Sequence, residues 1–287
     1  MIMDENNTMV ETQVTKCLNC GTEFNGKFCP ECGQRADTKR FTIKFIFKNL
    51  LQAILSNDGG VWITLKTLFT HPGQMMVDIL NGKRKSYFSP FPMLFLTLSL
   101  YVVIFTFTGS KDIDFDHIWD DEIVTVENAE EVTHEQMVAD KTKTFIINAL
   151  KLYGNHYTAA FILTIPVYIL AARVSYGRKN RKKYNWGEYC IPIVYSLILL
   201  VLYRCLMSVV YYFSPDIADK MQDWIILLNI IVFTACFKNM FEFKMVKIVW
   251  RSFLAIVFYW VFMITIVLII ACLAILALIV VYPEYFG

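Results

Sequence analysis

Charge is what this chain has least of. Of 287 residues only 18% are Asp, Glu, Lys or Arg, against 56% hydrophobic and 15% aromatic, with a mean hydropathy of +0.46. A soluble domain carries about a quarter charged residues, so a purely aqueous fold is excluded as the main reading. Histidine is also scarce, and its four copies (His71, His117, His134, His156) lie in separate segments. No HExxH, GxSxG or Walker A pattern occurs, which removes the common hydrolase and nucleotidase signatures. Few polar residues fall within the long apolar runs and no internal repeat is visible, both of which argue against a transporter. Residues 1–15 (MIMDENNTMVETQVT) lack an apolar core. They are expected to be a disordered N-terminus and not a cleavable signal peptide, leaving insertion to the first apolar run.

Cysteine supplies the most specific local pattern. Cys17-Leu-Asn-Cys20-Gly and Cys29-Pro-Glu-Cys32-Gly form C-x2-C-x8-C-x2-C, each pair closed by a glycine. Two residues between thiolates let one tight turn aim both sulfurs at one ion, and glycine accepts the positive φ such a knuckle needs. A module over residues 16–36 is too small to bury a core, so metal binding supplies its folding energy. Closed four-cysteine coordination points to one structural zinc per chain rather than a catalytic metal. Two disulfides or a redox pair are the alternatives, and no thioredoxin-like pattern surrounds the cysteines. Cys190, Cys205, Cys236 and Cys272 sit in apolar runs and read as small hydrophobes.

Residues 41–89 read as short amphipathic helices and a basic motif. From Phe41 to Ser56, Lys44, Lys48, Gln52 and Ser56 recur every four residues, a narrow polar stripe suited to a membrane interface or to packing on the chain's own spans. Asn57-Asp58-Gly59-Gly60 ends that helix. Val61–Phe69 reads as a second interfacial helix, and Pro72-Gly73 breaks the chain before a third short piece that runs to Leu80. The basic knot Lys83-Arg84-Lys85 follows, with Tyr87, directly ahead of the first span.

Residues 90–287 read as a transmembrane domain, since about 20 apolar residues cross a bilayer. Five spans are expected, at about 90–108, 157–173, 189–213, 224–240 and 253–282. The last is long enough to tilt strongly or to turn back on itself. The 109–143 loop carries eleven acids (Asp112, Asp114, Asp116, Asp120, Asp121, Glu122, Glu127, Glu130, Glu131, Glu135, Asp140) against three lysines. Basic segments stay cytoplasmic. Lys39–Lys85, Arg173–Lys183 and Lys238–Arg251 therefore face the cytoplasm, and the acidic loop and 214–223 face out. The N-terminus is then cytoplasmic, where thiolates persist, and the C-terminus periplasmic.

The ordered motifs FCPECGQ, NDGG, THPG and NGKRKSYFSP, leading into a span, resemble an uncharacterised family of bacterial integral membrane proteins frequent in Bacteroidetes. The resemblance covers roughly residues 17–108. It points to Cys17, Cys20, Cys29, Cys32, Asp58, Gly59, Pro72, Gly73, Gly82, Lys83, Arg84, Tyr87 and Pro90 as motif residues. It implies a multi-pass inner-membrane protein with a cytoplasmic zinc ribbon and carries no activity.

The fold class expected is therefore an all-α polytopic membrane protein of about five spans, with a small N-terminal zinc ribbon and interfacial helices. Lys83, Arg84, Lys85 and Tyr87 are candidates for a phosphate or lipid headgroup, since arginine can grip phosphate in two places and tyrosine anchors at headgroup depth. Asp58 and His71 are motif candidates. Arg204 lies deep in the third span, as a functional residue or one that snorkels outward, and Asn229 in the fourth reads as packing glue. His117 and His134 can bind a metal with the loop acids, or sit in a solvated loop. The function expected is a non-enzymatic component that binds anionic lipid, or a cytoplasmic partner through the ribbon. A transporter or lipid-handling permease is the alternative, and an intramembrane enzyme a further one. With Lys27 set against Glu23 and Glu31 the ribbon has no basic footprint, so no nucleic-acid partner is expected.

Overall fold

The computed structural model describes residues 14–38, 40–44, 60–108, 157–241 and 243–281. Most of the expected 41–56 helix, Asp58, the acidic 109–143 loop, and His117, His134 and His156 lie outside them. Two short strands, β1 (Thr15–Lys16) and β2 (Glu23–Phe24), pair antiparallel with Thr15 opposite Phe24. Nine helices follow among the described residues: α1 (Val61–Thr70), α2 (Pro72–Leu80), α3 (Pro90–Thr108), α4 (Tyr157–Ser175), α5 (Arg178–Lys183), α6 (Trp186–Phe213), α7 (Pro215–Asp223), α8 (Ile225–Phe237) and α9 (Met245–Val281).

Helix α6 is the axis of the bundle. It packs along α3, α4, α7 and α8, while α9 packs along α4 and α8. Its side chains from Tyr189 to Ile198 are nearly all buried, as expected of a helix that is apolar all round. Helices α1 and α2 join the same core through Leu68, Met75, Met76 and Ile79. The opposite face of α1 leaves Trp62 and Phe69 exposed.

Three helices are long and apolar enough to cross a membrane: α3, α6 and α9 over Met245–Ile270. Helices α7 and α8 make a fourth if the pair, bent by 53°, is one broken span. Within the 19 residues of α4, Phe161–Ser175 is a further, shorter apolar stretch. Among the described residues, three or four candidate spans therefore meet this length and composition test.

Two helices start ahead of the expected spans. Helix α6 begins at Trp186 because Asn185 and Glu188 form a reciprocal capping box, Asn185 Oδ1 accepting from the Glu188 N–H at 3.0 Å and Glu188 Oε2 from the Asn185 N–H at 2.9 Å. Helix α9 begins at Met245, so half of the basic 238–251 segment is helical; Lys247 and Arg251 lower hydropathy without opposing helix. The last apolar run continues as one helix to Val281 rather than turning back.

The start of α3, the end of α4, the start of α6, the end of α8 and the start of α9 meet at one end of the bundle. Tyr195 on α6 donates to the Phe88 carbonyl ahead of α3 at 2.6 Å. Tyr184 donates to the Met240 carbonyl at 2.8 Å, and Ser175 and Arg251 exchange hydrogen bonds between α4 and α9. Tyr176 stacks on Phe237 and Phe241 at 4.9 and 4.5 Å, filling the space between.

Candidate metal centre

The two cysteine pairs fold as copies of one turn. The Gly21 N–H donates to the Cys17 carbonyl and the Gly33 N–H to the Cys29 carbonyl, both at 2.9 Å. Both glycines hold positive φ, 83° and 71°, the left-handed geometry that lets each turn close. The chain then runs back, with Cys17 N–H to Thr22 O and Cys29 N–H to Gln34 O, both 2.8 Å. β1–β2 pairing flanks the first turn and a Phe28–Arg35 bridge flanks the second.

Cys17 Sγ lies 3.5 Å from Cys32 Sγ, and Cys20 Sγ 3.5 Å from Cys29 Sγ, with all four sulfurs within 4.8 Å of one another. Metal–sulfur bonds of about 2.3 Å in a tetrahedron give sulfur–sulfur edges of about 3.8 Å. The cluster therefore fits one tetrahedral ion, and none of the four cysteines is disulfide-bonded. Four thiolates suit zinc or iron rather than a hard cation. Cys17 and Cys29 are buried and Cys20 is exposed, so Cys20 marks the open corner. When Cys20 ionises, the Thr22 hydroxyl, 3.3 Å away, and the Thr22 N–H donate to its sulfur, bringing the thiol down to about 6. Burial pushes Cys32 up to about 11.

The centre is docked on the basic loop. Buried Gln34, two residues after Cys32, donates from Nε2 to the Gly82 carbonyl at 2.9 Å. Its Oε1 accepts the N–H groups of Arg84 and Lys85 at 3.2 and 3.3 Å. Asn19, between Cys17 and Cys20, accepts the Ser86 N–H at 3.2 Å and its hydroxyl at 3.0 Å. Gly82 has φ 102°, and a Cβ there would lie 2.7 Å from Leu18 Cδ1. Downstream, the Phe88 N–H donates to Thr64 Oγ1 of α1 at 2.8 Å.

The side chains of the loop are drawn into the fold to different degrees. Lys83 Nζ is 3.5 Å from Asp78 Oδ2, and the Tyr87 hydroxyl donates to the same oxygen at 3.1 Å. The Arg84 guanidinium carbon lies 3.7 Å from the Phe41 ring centroid; desolvation brings this group down to about 10, with nearby Glu188 opposing. The Lys85 stem runs alongside Gly33.

The remaining candidates lie elsewhere. His71 is exposed at the junction of α1 and α2, its carbonyl accepting from Met75. Arg204 is half-buried in α6; the neighbouring Tyr203 donates to the Met221 carbonyl of α7 at 2.7 Å. Asn229 bonds back to the Ile225 carbonyl in its own helix at 2.7 Å. Cys190, Cys205 and Cys236 are buried, whereas Cys272 is exposed. Asn19, Gln34, Thr64 and Tyr195 carry no role in the motif reading, although Gln34 closes the FCPECGQ segment. Asn185-x-x-Glu188 was readable as a capping pattern.

A mostly helical chain with three or four membrane-length helices and a metal-capable four-cysteine cluster is the class these observations define. Residues 58–102 match a family model described as a protein of unknown function (DUF3667). The matched stretch holds the HPG and GKRKSY segments and the first two thirds of α3 but not the cysteines. No curated protein and no solved structure matches the chain.

Proposed function

We propose that this chain is a non-enzymatic, five-pass protein of the bacterial inner membrane, with a cytoplasmic zinc ribbon and a basic inner face that binds anionic lipid. The observation that carries this reading is the meeting of five helix ends at one end of the bundle. Alternating direction through α3, α4, α6, the α7–α8 pair and α9 is what five passes require. That end also holds Lys83, Lys85, Arg178, Lys182, Lys183, Lys238, Lys244 and Lys247, whereas the far end has Asp216, Asp219 and Asp223 on α7. A positive inner face with an acidic outer one agrees with cytoplasmic retention of basic segments. Exposed Trp62 and Phe69 on α1 and Trp250 on α9 lie toward the basic end, the depth at which aromatic rings favour the headgroup layer.

Each cation near an anionic leaflet contributes about 1 kcal/mol, so several lysines together give a marked preference for anionic over zwitterionic lipid. Because Arg84 is turned onto Phe41, the lysines are the better headgroup ligands. The test is retention of anionic phospholipid after delipidation by wild type and by a Lys83→Gln, Lys85→Gln double variant. Reduced retention by the variant supports the reading, and equal retention removes the loop from it.

A further inference from the structure

We propose that the four-cysteine centre and the Gly82–Ser86 loop are one linked unit, in which the bound metal ion holds the loop docked and the docked loop in turn tightens metal binding. The proposal rests on the metal-site reading given above.

The atoms that grip the loop belong to the knuckles themselves. Asn19 lies between two ligands, and its own N–H donates to Cys17 Sγ at 3.4 Å. Gln34 follows the last ligand by two residues, and its carbonyl accepts the Cys29 N–H at 2.8 Å. The backbone position of each is therefore set by the turn that an ion would close. The grip falls on main-chain groups of an irregular segment: the Gly82 carbonyl and the N–H groups of Arg84, Lys85 and Ser86. Buried main-chain groups deprived of partners are costly, so the loop and knuckles stay together or part together.

Apolar packing does not replace the metal here. The cysteine module's own core is Cys17, Phe24 and Cys29, with Cys32 and Ala36 against it, and it is separate from the helical core. A module this small does not keep its turns without its ion. Charge acts in the same direction, because a divalent ion on four thiolates leaves a net charge of −2, and the loop sets Lys85 beside the second knuckle. The Lys85 Cε lies 3.6 Å from where a Cβ on Gly33 would be. From the loop the chain runs through Phe88, pinned by Thr64 and Tyr195, directly into α3. The presence of metal is thereby felt at the entrance to the first candidate span.

Linkage is reciprocal, so whatever factor the metal contributes to docking, docking contributes to metal affinity. The test is hydrogen exchange of the full chain in mild detergent, with zinc bound and after zinc is removed by a chelator, with elemental analysis of both samples. Removal is expected to speed exchange at the amides of Arg84, Lys85 and Ser86 while the centre of α6 stays protected. As the reciprocal arm, Gln34→Leu keeps all four cysteines and is expected to release zinc to a competing chelator about tenfold more readily, within the usual range of such couplings. If Gln34→Leu does not fold, Ser86→Ala, which loses one hydroxyl bond, is expected to show a smaller change of the same sign. Zinc loss with unchanged loop exchange, or unchanged release from a folded variant, overturns the linkage. Purified wild type without metal overturns the metal-site reading itself, and the linkage with it.

Discussion

Arg40 and Glu188 are 148 positions apart in the chain and close a two-pronged ion pair, Nε to Oε1 and Nη2 to Oε2, both at 2.6 Å. The same carboxylate caps α6 through Asn185, and Arg40 Nη2 also donates to the Lys183 carbonyl at 3.0 Å. Next to this pair, a Cβ on Gly187 would lie 2.8 Å from the Phe41 carbonyl. The 40–44 segment is thus pressed onto the first turn of the central helix, and Phe41 in turn supports Arg84 of the basic loop.

Removing one partner of this pair costs stability. The Glu188 side chain is 4% exposed but that of Arg40 is 65% exposed, so water replaces part of the contact. Arg40→Ala is expected to cost about 1–2 kcal/mol, the range for hydrogen bonds to a charged group reduced for exposure. Glu188→Ala loses the cap as well and is expected to cost about 1 kcal/mol more. Chemical unfolding in detergent reads both; equal stability of wild type and Glu188→Ala contradicts the role given to the pair.

Gly73 marks a close approach. A Cβ there would lie 2.8 Å from the Ala235 carbonyl and 3.2 Å from Asn239 Cγ, where α2 meets the end of α8. A backbone carbonyl cannot swing aside, so Gly73→Ala is expected to cost about 1–3 kcal/mol. The three atoms nearest a Cβ on Gly60, the N-cap of α1, all belong to the flexible Ile63 side chain, so Gly60→Ala is expected to cost less, at most about 1 kcal/mol. Thermal melts of the two variants side by side check the difference.

Cys29→Ser is expected to abolish stoichiometric metal binding and unfold the knuckles while the chain still enters the membrane fraction, since the helices are inserted by their own hydropathy. Elemental analysis and membrane fractionation of one preparation read both outcomes. A Cys29→Ser chain that keeps a full complement of metal removes Cys29 from the ligand set.

Orientation is tested with a membrane-impermeant thiol reagent on intact cells. Exposed Lys182 serves as the inner reporter and exposed Asp219 as the outer one. Asp219→Cys is expected to label above the wild-type background and Lys182→Cys not to. The opposite pattern reverses the topology.

The parts of the structure legible in the sequence are those set by local rules. The knuckles follow from cysteine spacing and the glycine after each pair, α3 from an apolar run free of charge, and α6 from one broken only by Arg204. Helices α6 and α9 start ahead of the expected spans because Glu188, Lys247 and Arg251 end an apolar run as charges, although one caps a helix and two are good helix formers. The docking of Gln34 on the loop was not legible. It joins a side chain to main-chain groups 48 to 51 residues away, and main-chain partners leave no residue signature. Tyr195 reaching the Phe88 carbonyl across 107 positions is hidden for the same reason. The contact of Arg84 with Phe41 was not legible either, because the two residues are distant in the chain.

The most direct test of the account is native mass spectrometry of the intact protein released from mild detergent. The account predicts one zinc ion on every chain, together with anionic phospholipid retained in preference to zwitterionic lipid. A metal-free chain lighter by four hydrogens, as two disulfides would make it, with no preference between lipids, would contradict it.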